Sequence, residues 1–397
     1  MRLFFLITFF LLSVLLYPVS AGSDLLTLRS EASGFADVRA WIQSADGGQI
    51  PLPAGHADIG MEPSILNHTK ENFFYIASDL GFGFSHITRK GMDSILKVSW
   101  YLNDGKPAGQ WQKSWPDDIP LPALRIDPDT GNLIAVDLTN HVRLINKNGL
   151  TIKDFTLLDT LHIHTENNAY IDYNGGLLAA GITEVNPGLA SHPDYRTSIQ
   201  VFTLDDKVIW YKSFPGWRIR SVNSSADGQF VAASFYRKET DQEKYLFRSM
   251  VFNAVGKVIC DQPLRARQTL FNKKNNRVFF RDKSAGYLID LTTGKQIAQI
   301  QSTDQDRLFL TAVFMSPSEY LAVQEGIAIR RPAENLSGWV YTQISIRAVD
   351  ESGNEAALLP IDDIEVIKPV LTYDESLYDL FVGHRSGWRI YHLNLDD

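Results

Sequence analysis

Ser225-Ala-Asp-Gly-Gln-Phe-Val-Ala-Ala233 sets a polar, turn-forming start against an unbroken apolar run. Asp and Gly tolerate the left-handed backbone of a tight reversal, and a continuous apolar run suits a strand buried on both faces. The pattern recurs as Asp127-Pro-Asp-Thr-Gly-Asn-Leu-Ile-Ala-Val136, Asn174-Gly-Gly-Leu-Leu-Ala-Ala180, Lys274-Asn-Asn-Arg-Val-Phe-Phe280, Ser316-Pro-Ser-Glu-Tyr-Leu-Ala-Val323 and Asp374-Glu-Ser-Leu-Tyr-Asp-Leu-Phe-Val382. A weaker copy runs from His68 to Ala77.

A second pattern alternates with the first: a strand of period two, a tight turn and another strand. It appears as Val142-Arg-Leu-Ile-Asn-Lys-Asn-Gly-Leu150, and again from Ile199 to Trp210, Val251 to Ile259, Tyr287 to Ile297 and Ile344 to Asn354, with Val98 to Lys106 alongside. Each reads as a hairpin. Together the two patterns give four strands every roughly 50 residues, within the range of propeller blades. A single blade cannot cover its own two apolar faces, whereas blades stacked in a circle cover one another.

The expected fold is therefore all-β, a single β-propeller of seven four-stranded blades spanning 57–118, 119–161, 162–215, 216–264, 265–303, 304–363 and 364–397. The last span holds only three strands. Its fourth is expected from the N-terminal segment 36–53, where Ala36 to Gln43 alternates correctly. Gly34 to Ala54 also reads as a hairpin of its own, which leaves six or eight blades open.

Ser225 to Ala233 resembles the strand-start signature of WD40-like and TolB-like propellers, and Asp205-Asp-Lys-Val-Ile-Trp210 resembles the turn and strand of pyrroloquinoline-quinone-like repeats. The resemblance spans most of the chain and implies the fold without catalytic residues. The Gly-His and Trp-Asp signatures of true WD40 blades are absent, and Trp115 and Trp210 are not echoed around the repeats, which argues against a quinone. No cofactor is expected.

Composition narrows the function. The 397 residues are 44% hydrophobic and 21% charged, and the formal net charge of -8 speaks against nucleic acid, whose phosphates call for a basic face. Met1 to Ala21 reads as a signal peptide: Arg2 precedes an apolar run from Leu3 to Tyr17, and Val19-Ser20-Ala21 offers a cleavage site. This predicts a secreted or periplasmic, monomeric protein with no membrane span once cleaved. Cys260 is the only cysteine, so no intramolecular disulfide forms.

The usual catalytic signatures are missing: Thr293-Gly-Lys-Gln296 lacks the spacing of a phosphate loop, and no nucleophile elbow or His-Glu-x-x-His segment occurs. Asp127, Asp129 and Asn132 read as a turn rather than a calcium loop, since Leu138 stands where a bidentate glutamate belongs. His162 and His164, with His192 nearby, share a strand face but make an incomplete metal set, and no metal is assigned. Over a short stretch, His162-Ile-His164 followed by Asn174-Gly-Gly-Leu-Leu resembles the histidine-bearing blade of arylsulfotransferases. Trp100, Tyr101, Trp111 and Trp115 read as packing between blades, with a sugar platform as the alternative.

Long inserts at Thr183 to Thr197, Arg237 to Phe247 and Glu325 to Tyr341, joined by Asp79 to Met92, all fall between second and third strands and hence on one face. Arg125, Arg218, Arg220, Arg265, Arg267, Arg307 and Lys368 fall near the starts of innermost strands, with Glu62 and Glu166 in two others. The predicted ligand-binding set is Arg125, Arg218, Arg220, Arg265, Arg267, Glu166, His162 and His164. The expected function is a binding or scaffolding module for a protein, an anionic glycan or a small molecule. The alternative is a propeller enzyme, a lactonase-like or other hydrolase or a sulfotransferase, working in the central funnel.

Overall fold

The computed structural model describes residues 26–33, 41–43, 49–51, 72–75, 82–90, 93–101, 107–114, 122–127, 130–137, 141–157, 168–186, 194–239, 244–272, 274, 276–316, 318–330, 339–366, 369–374, 378–384 and 387–394. The strands begin with β1 (Leu26–Ser33), β2 (Trp41–Gln43) and β3 (Gln49–Pro51). Four-stranded antiparallel sheets follow in chain order, each a meander with neighbours paired in sequence. The first holds β4 (Asn72–Tyr75), β5 (Phe82–Lys90), β6 (Asp93–Tyr101) and β7 (Pro107–Ser114). The second holds β8 (Ala123–Ile126), β9 (Leu133–Val136), β10 (His141–Ile145) and β11 (Thr151–Thr156). The third holds β12 (Asn168–Asn174), β13 (Leu177–Asn186), β14 (Asp194–Thr203) and β15 (Val208–Pro215).

The fourth holds β16 (Arg218–Ser224), β17 (Phe230–Lys238), β18 (Tyr245–Asn253) and β19 (Val258–Gln262). The fifth holds β20 (Gln268–Phe271), β21 (Arg277–Arg281), β22 (Ala285–Asp290) and β23 (Gln296–Gln301). The sixth holds β24 (Arg307–Met315), β25 (Tyr320–Arg330), β26 (Trp339–Val349) and β27 (Glu355–Ile361). The last joins β28 (Val370–Asp374), β29 (Asp379–His384) and β30 (Gly387–Leu393) to β1. No helix among the described residues is long and apolar enough to cross a membrane.

The chain forms two compact units, residues 39–301 and residues 1–38 with 302–397. Within the first, every core cluster straddles two consecutive sheets. Val98 and Trp100 of β6 meet Leu124 and Ile126 of β8. Ile134 of β9 and Val142 of β10 meet Ile171 of β12 and Leu178 of β13. Ile199 and Val201 of β14 meet Ile219 and Val222 of β16, and Val251 and Cys260 meet Val278 and Phe280. Ile134 and Ala135 of β9 are both buried, on opposite faces, which is why the second strand of a unit reads as continuously apolar. In the other unit, Ile344, Ile346 and Ala348 of β26 pack with Leu371 of β28 and Leu380 and Val382 of β29.

Two expectations are corrected. The strand that completes the last sheet is Leu26–Ser33, running antiparallel to β30 from Leu26 opposite Leu393 to Ser33 opposite Gly387. Residues 41–43 of the expected segment pair instead with Gln49–Pro51 in a two-stranded sheet, so a local hairpin takes the better-alternating sequence. The segments read as inserts are in good part strand: β13 and β14 stay paired out to Asn186 opposite Asp194, and β17 and β18 to Lys238 opposite Tyr245. The signal segment 1–21 lies outside the described residues.

Candidate functional site

At one end of the third and fourth sheets, the links into β16 and toward β20 are each held by a hydroxyl pair across the second and third strands, shared by both hydroxyls in the first and taken by one in the second. Thr183 of β13 and Thr197 of β14 stand opposite each other with hydroxyls 2.9 Å apart. The Ile219 backbone N–H donates to Thr183 Oγ1 at 2.9 Å, and Thr197 Oγ1 donates to the Trp217 carbonyl. One sheet later, Ser234 and Ser249 stand opposite each other at 3.1 Å, Ser249 Oγ donates to the Leu264 carbonyl at 3.1 Å, and the Ala266 N–H points back to it at 3.4 Å. The bracketed residue between the two captured groups is Arg218 in the first case and Arg265 in the second.

The equivalence extends to the rings. Tyr195 lies two residues before Thr197, and the Arg218 guanidinium carbon stands 4.7 Å from its ring centroid. Phe247 lies two residues before Ser249, and Arg265 stands 5.1 Å from its centroid. Guanidinium over an aromatic face is attracted by the ring quadrupole. Arg218 also donates to the Tyr195 hydroxyl at 3.3 Å and faces Tyr236 at 5.5 Å. Arg237 covers Trp217 at 4.8 Å, and Tyr245 lies 6.2 Å from Tyr236 and 6.4 Å from Phe247.

Two residues beyond each bracketed arginine comes another, Arg220 and Arg267. Arg220 is the extra residue of a β-bulge, since Ile219 opposes Phe235 and Ser221 opposes Ser234. A bulge re-aims the side chain it carries. Burial, then the charges of Arg265 and Arg267, pull the Arg220 guanidinium below its ordinary value, with Tyr170 and Tyr236 acting in the other direction. Burial and Tyr236 push the Tyr170 phenol up, while Arg220 and Arg218 pull it down. Arg267 is exposed and its Nε lies 3.8 Å from Asp282.

Of the other sequence candidates, Arg125 and Arg307 fall elsewhere. Arg125 of β8 donates through Nε to Asp172 of β12 at 3.3 Å, and Asp172 in turn accepts from the Ser224 N–H at 2.7 Å and hydroxyl at 3.0 Å. Its guanidinium thereby ties three consecutive sheets. Arg307, in the other unit, donates to Ser345 Oγ at 2.9 Å and to the Gln343 carbonyl. His162, His164, Glu166, His192, Glu62 and Lys368 lie outside the described residues. Trp100 and Trp111 are buried in the core, and Trp100 Nε1 donates to the Gly131 carbonyl at 3.0 Å. The turn at Asp127 closes on itself through Thr130 and the Asn132 carbonyl. Among the described residues no three His, Cys, Asp or Glu side chains converge as a metal would require.

Tyr170, Tyr195, Tyr236 and Phe247 were not among the sequence candidates. The available signal was their spacing: Tyr-x-Thr at 195–197 and Phe-x-Ser at 247–249 occupy matching positions of consecutive units.

No family profile matches the chain, and no curated protein matches it in sequence. Among solved structures it is similar to the Dos1 propeller, at 10% identity and a TM-score of 0.50 over 82% of this chain and 78% of that one. It is also similar to BamB from Moraxella catarrhalis, at 11% identity and a TM-score of 0.45 over 80% and 83% of the two chains. The sheet order and the likeness to the Dos1 propeller agree on the architecture: the fold is a β-propeller of four-stranded blades.

Proposed function

We propose that the protein is an exported binding propeller that holds an acidic partner surface or anionic ligand against the arginine and aromatic edge formed by β14, β16, β18 and the start of β20. The observation that carries this reading is the repeated bracket, in which Arg218 and Arg265 are fixed by matching hydroxyl pairs and laid over matching rings. Fixing an arginine on a ring removes side-chain freedom before a ligand arrives, so less is lost on binding. The local excess of positive charge contrasts with the net charge of -8, which makes it a feature of this edge. Export is supported by the segment from Met1 to Ala21.

The test is retention of the folded protein on heparin and on immobilised poly-L-glutamate over a salt gradient. Retention is expected at low salt despite the acidic average, and it should fall as salt rises. Arg218→Ala and Arg265→Ala should each weaken it, by about 2–5 kcal/mol where the contact is desolvated and by less at an exposed rim. Elution unchanged by either substitution would remove this edge as the binding surface.

A further inference from the structure

Arg220 takes no part in the brackets that fix Arg218 and Arg265. It sits on the bulge of β16, two residues beyond the Arg218 bracket as Arg267 lies two beyond the Arg265 bracket, with β16 next to β20, and the charges of Arg265 and Arg267 act on it. The arrangement is costly as it stands, because like charges repel and two of the three, Arg220 and Arg265, are half-buried. A bulge at that one residue keeps the guanidinium there when regular pairing would have aimed it elsewhere. Among the described residues, the carboxylate paired with this group is Asp282, 3.8 Å from Arg267. Three guanidiniums and one carboxylate leave two positive charges to be met.

Resting on that same edge as the binding surface, we infer that Arg220, Arg265 and Arg267 form a subsite for a divalent tetrahedral oxyanion, the headgroup of a phosphate monoester. The charge matches. So does the shape, since a planar carboxylate is satisfied by one guanidinium fork while a monoester presents three acceptor oxygens to forks from several directions. Arg265 lies with its Nε buried and without a hydrogen-bond partner, its guanidinium carbon 5.1 Å from the Phe247 ring centroid. The Tyr170 and Tyr236 phenols act electrostatically on the Arg220 guanidinium.

The experiment titrates the whole protein with sodium phosphate, sulfate and acetate at constant ionic strength and follows thermal midpoint and tryptophan fluorescence. A bound anion raises the midpoint in a saturating way. Phosphate and sulfate should do so and acetate should not. Arg220→Gln should raise the half-saturating concentration roughly ten-fold or more, as expected for loss of a charged hydrogen-bond donor. Arg267→Gln, at an exposed position, should shift it the same way without risk to folding, and Lys257→Gln in the exposed turn before β19 should leave it unchanged. A parallel arm measures sedimentation with phosphatidylcholine vesicles with and without phosphatidic acid. Binding to the doped vesicles that is lost in Arg220→Gln assigns the monoester to a lipid, and a response to inorganic phosphate alone assigns it to a soluble ligand. Equal responses of the parent and Arg220→Gln in every arm would overturn the subsite, because excluded anions stabilise any fold without a site. If Arg218 and Arg265 still govern retention on heparin in that case, the binding edge stands and only the oxyanion subsite falls.

Discussion

Gly175 and Gly228 bring two neighbouring turns together. Both have left-handed backbone, with φ of 56° and 70°. A Cβ on Gly175 would stand 2.2 Å from the Asp227 carbonyl, and one on Gly228 would stand 2.8 Å from the Asn174 carbonyl oxygen. Gly176, beside it, has φ of 76° but open space around it. Gly176→Ala should therefore cost only the left-handed backbone penalty, about 1 kcal/mol or a little more, whereas Gly175→Ala adds a backbone clash and should cost several-fold more. Thermal melts of the two variants check this, and equal midpoints would show that the turns do not depend on their contact. The turn chemistry itself was legible. Ser225 and Asp227 make the local hydrogen bonds their types suggest, with the Gln229 N–H donating to Asp227 Oδ1 at 3.0 Å and the Phe230 N–H to Ser225 Oγ at 3.0 Å. What each turn touches was not, because contact between units separated by about 50 residues leaves no local pattern. Arg220 was named from the sequence, but its aim was not legible, for a related reason: a bulge shifts every side chain after it, and no residue type announces one here.

At the scale of the strand, the hydroxyl pairs couple the strands of one sheet to the chain entering the next. Thr183 and Thr197 are both fully buried, so each captured backbone group would lose its partner with no water to replace it. Thr197→Val keeps the shape and removes the donor to the Trp217 carbonyl, and it should cost about 1–3 kcal/mol. It should also loosen Arg218, which sits between the captured groups, and so weaken retention on heparin at constant salt. A variant that melts lower but elutes unchanged would mean that the bracket stabilises the sheets without aiming the arginine. The sequence pattern showed the hairpins but shortened them. Tyr195-Arg-Thr-Ser198 and Arg237-Lys238 continue the pairing beyond the apolar runs, and their polar side chains removed the hydrophobic signal that marks a strand.

For the whole molecule, the decisive pairing joins the two ends of the chain. Leu26 stands opposite Leu393 and Ala32 opposite Trp388, so the last sheet acquires its outer strand from the beginning of the sequence. The shortfall of one strand was readable from a final repeat too short for four; the identity of the donor was not, because Leu26 to Ser33 alternates less cleanly than Ala36 to Gln43. Closing so long a loop costs entropy that grows only logarithmically with length, so the pairing is affordable at equilibrium but slow to find. Deleting residues 26–33 would leave the backbone groups of β30 along an open edge while Tyr391 and Leu393 remain core residues. Such an edge pairs with other chains. The deletion variant should therefore show oligomers by size-exclusion chromatography, a lower melting point and lost hydrogen-exchange protection concentrated in Gly387–Leu393. Deleting residues 41–43 and 49–51, the hairpin that lies within the segment expected to close the sheet, should leave β30 protected. The opposite result, with β30 exposed by loss of the hairpin and intact after loss of Leu26–Ser33, would assign closure of the sheet to the hairpin instead.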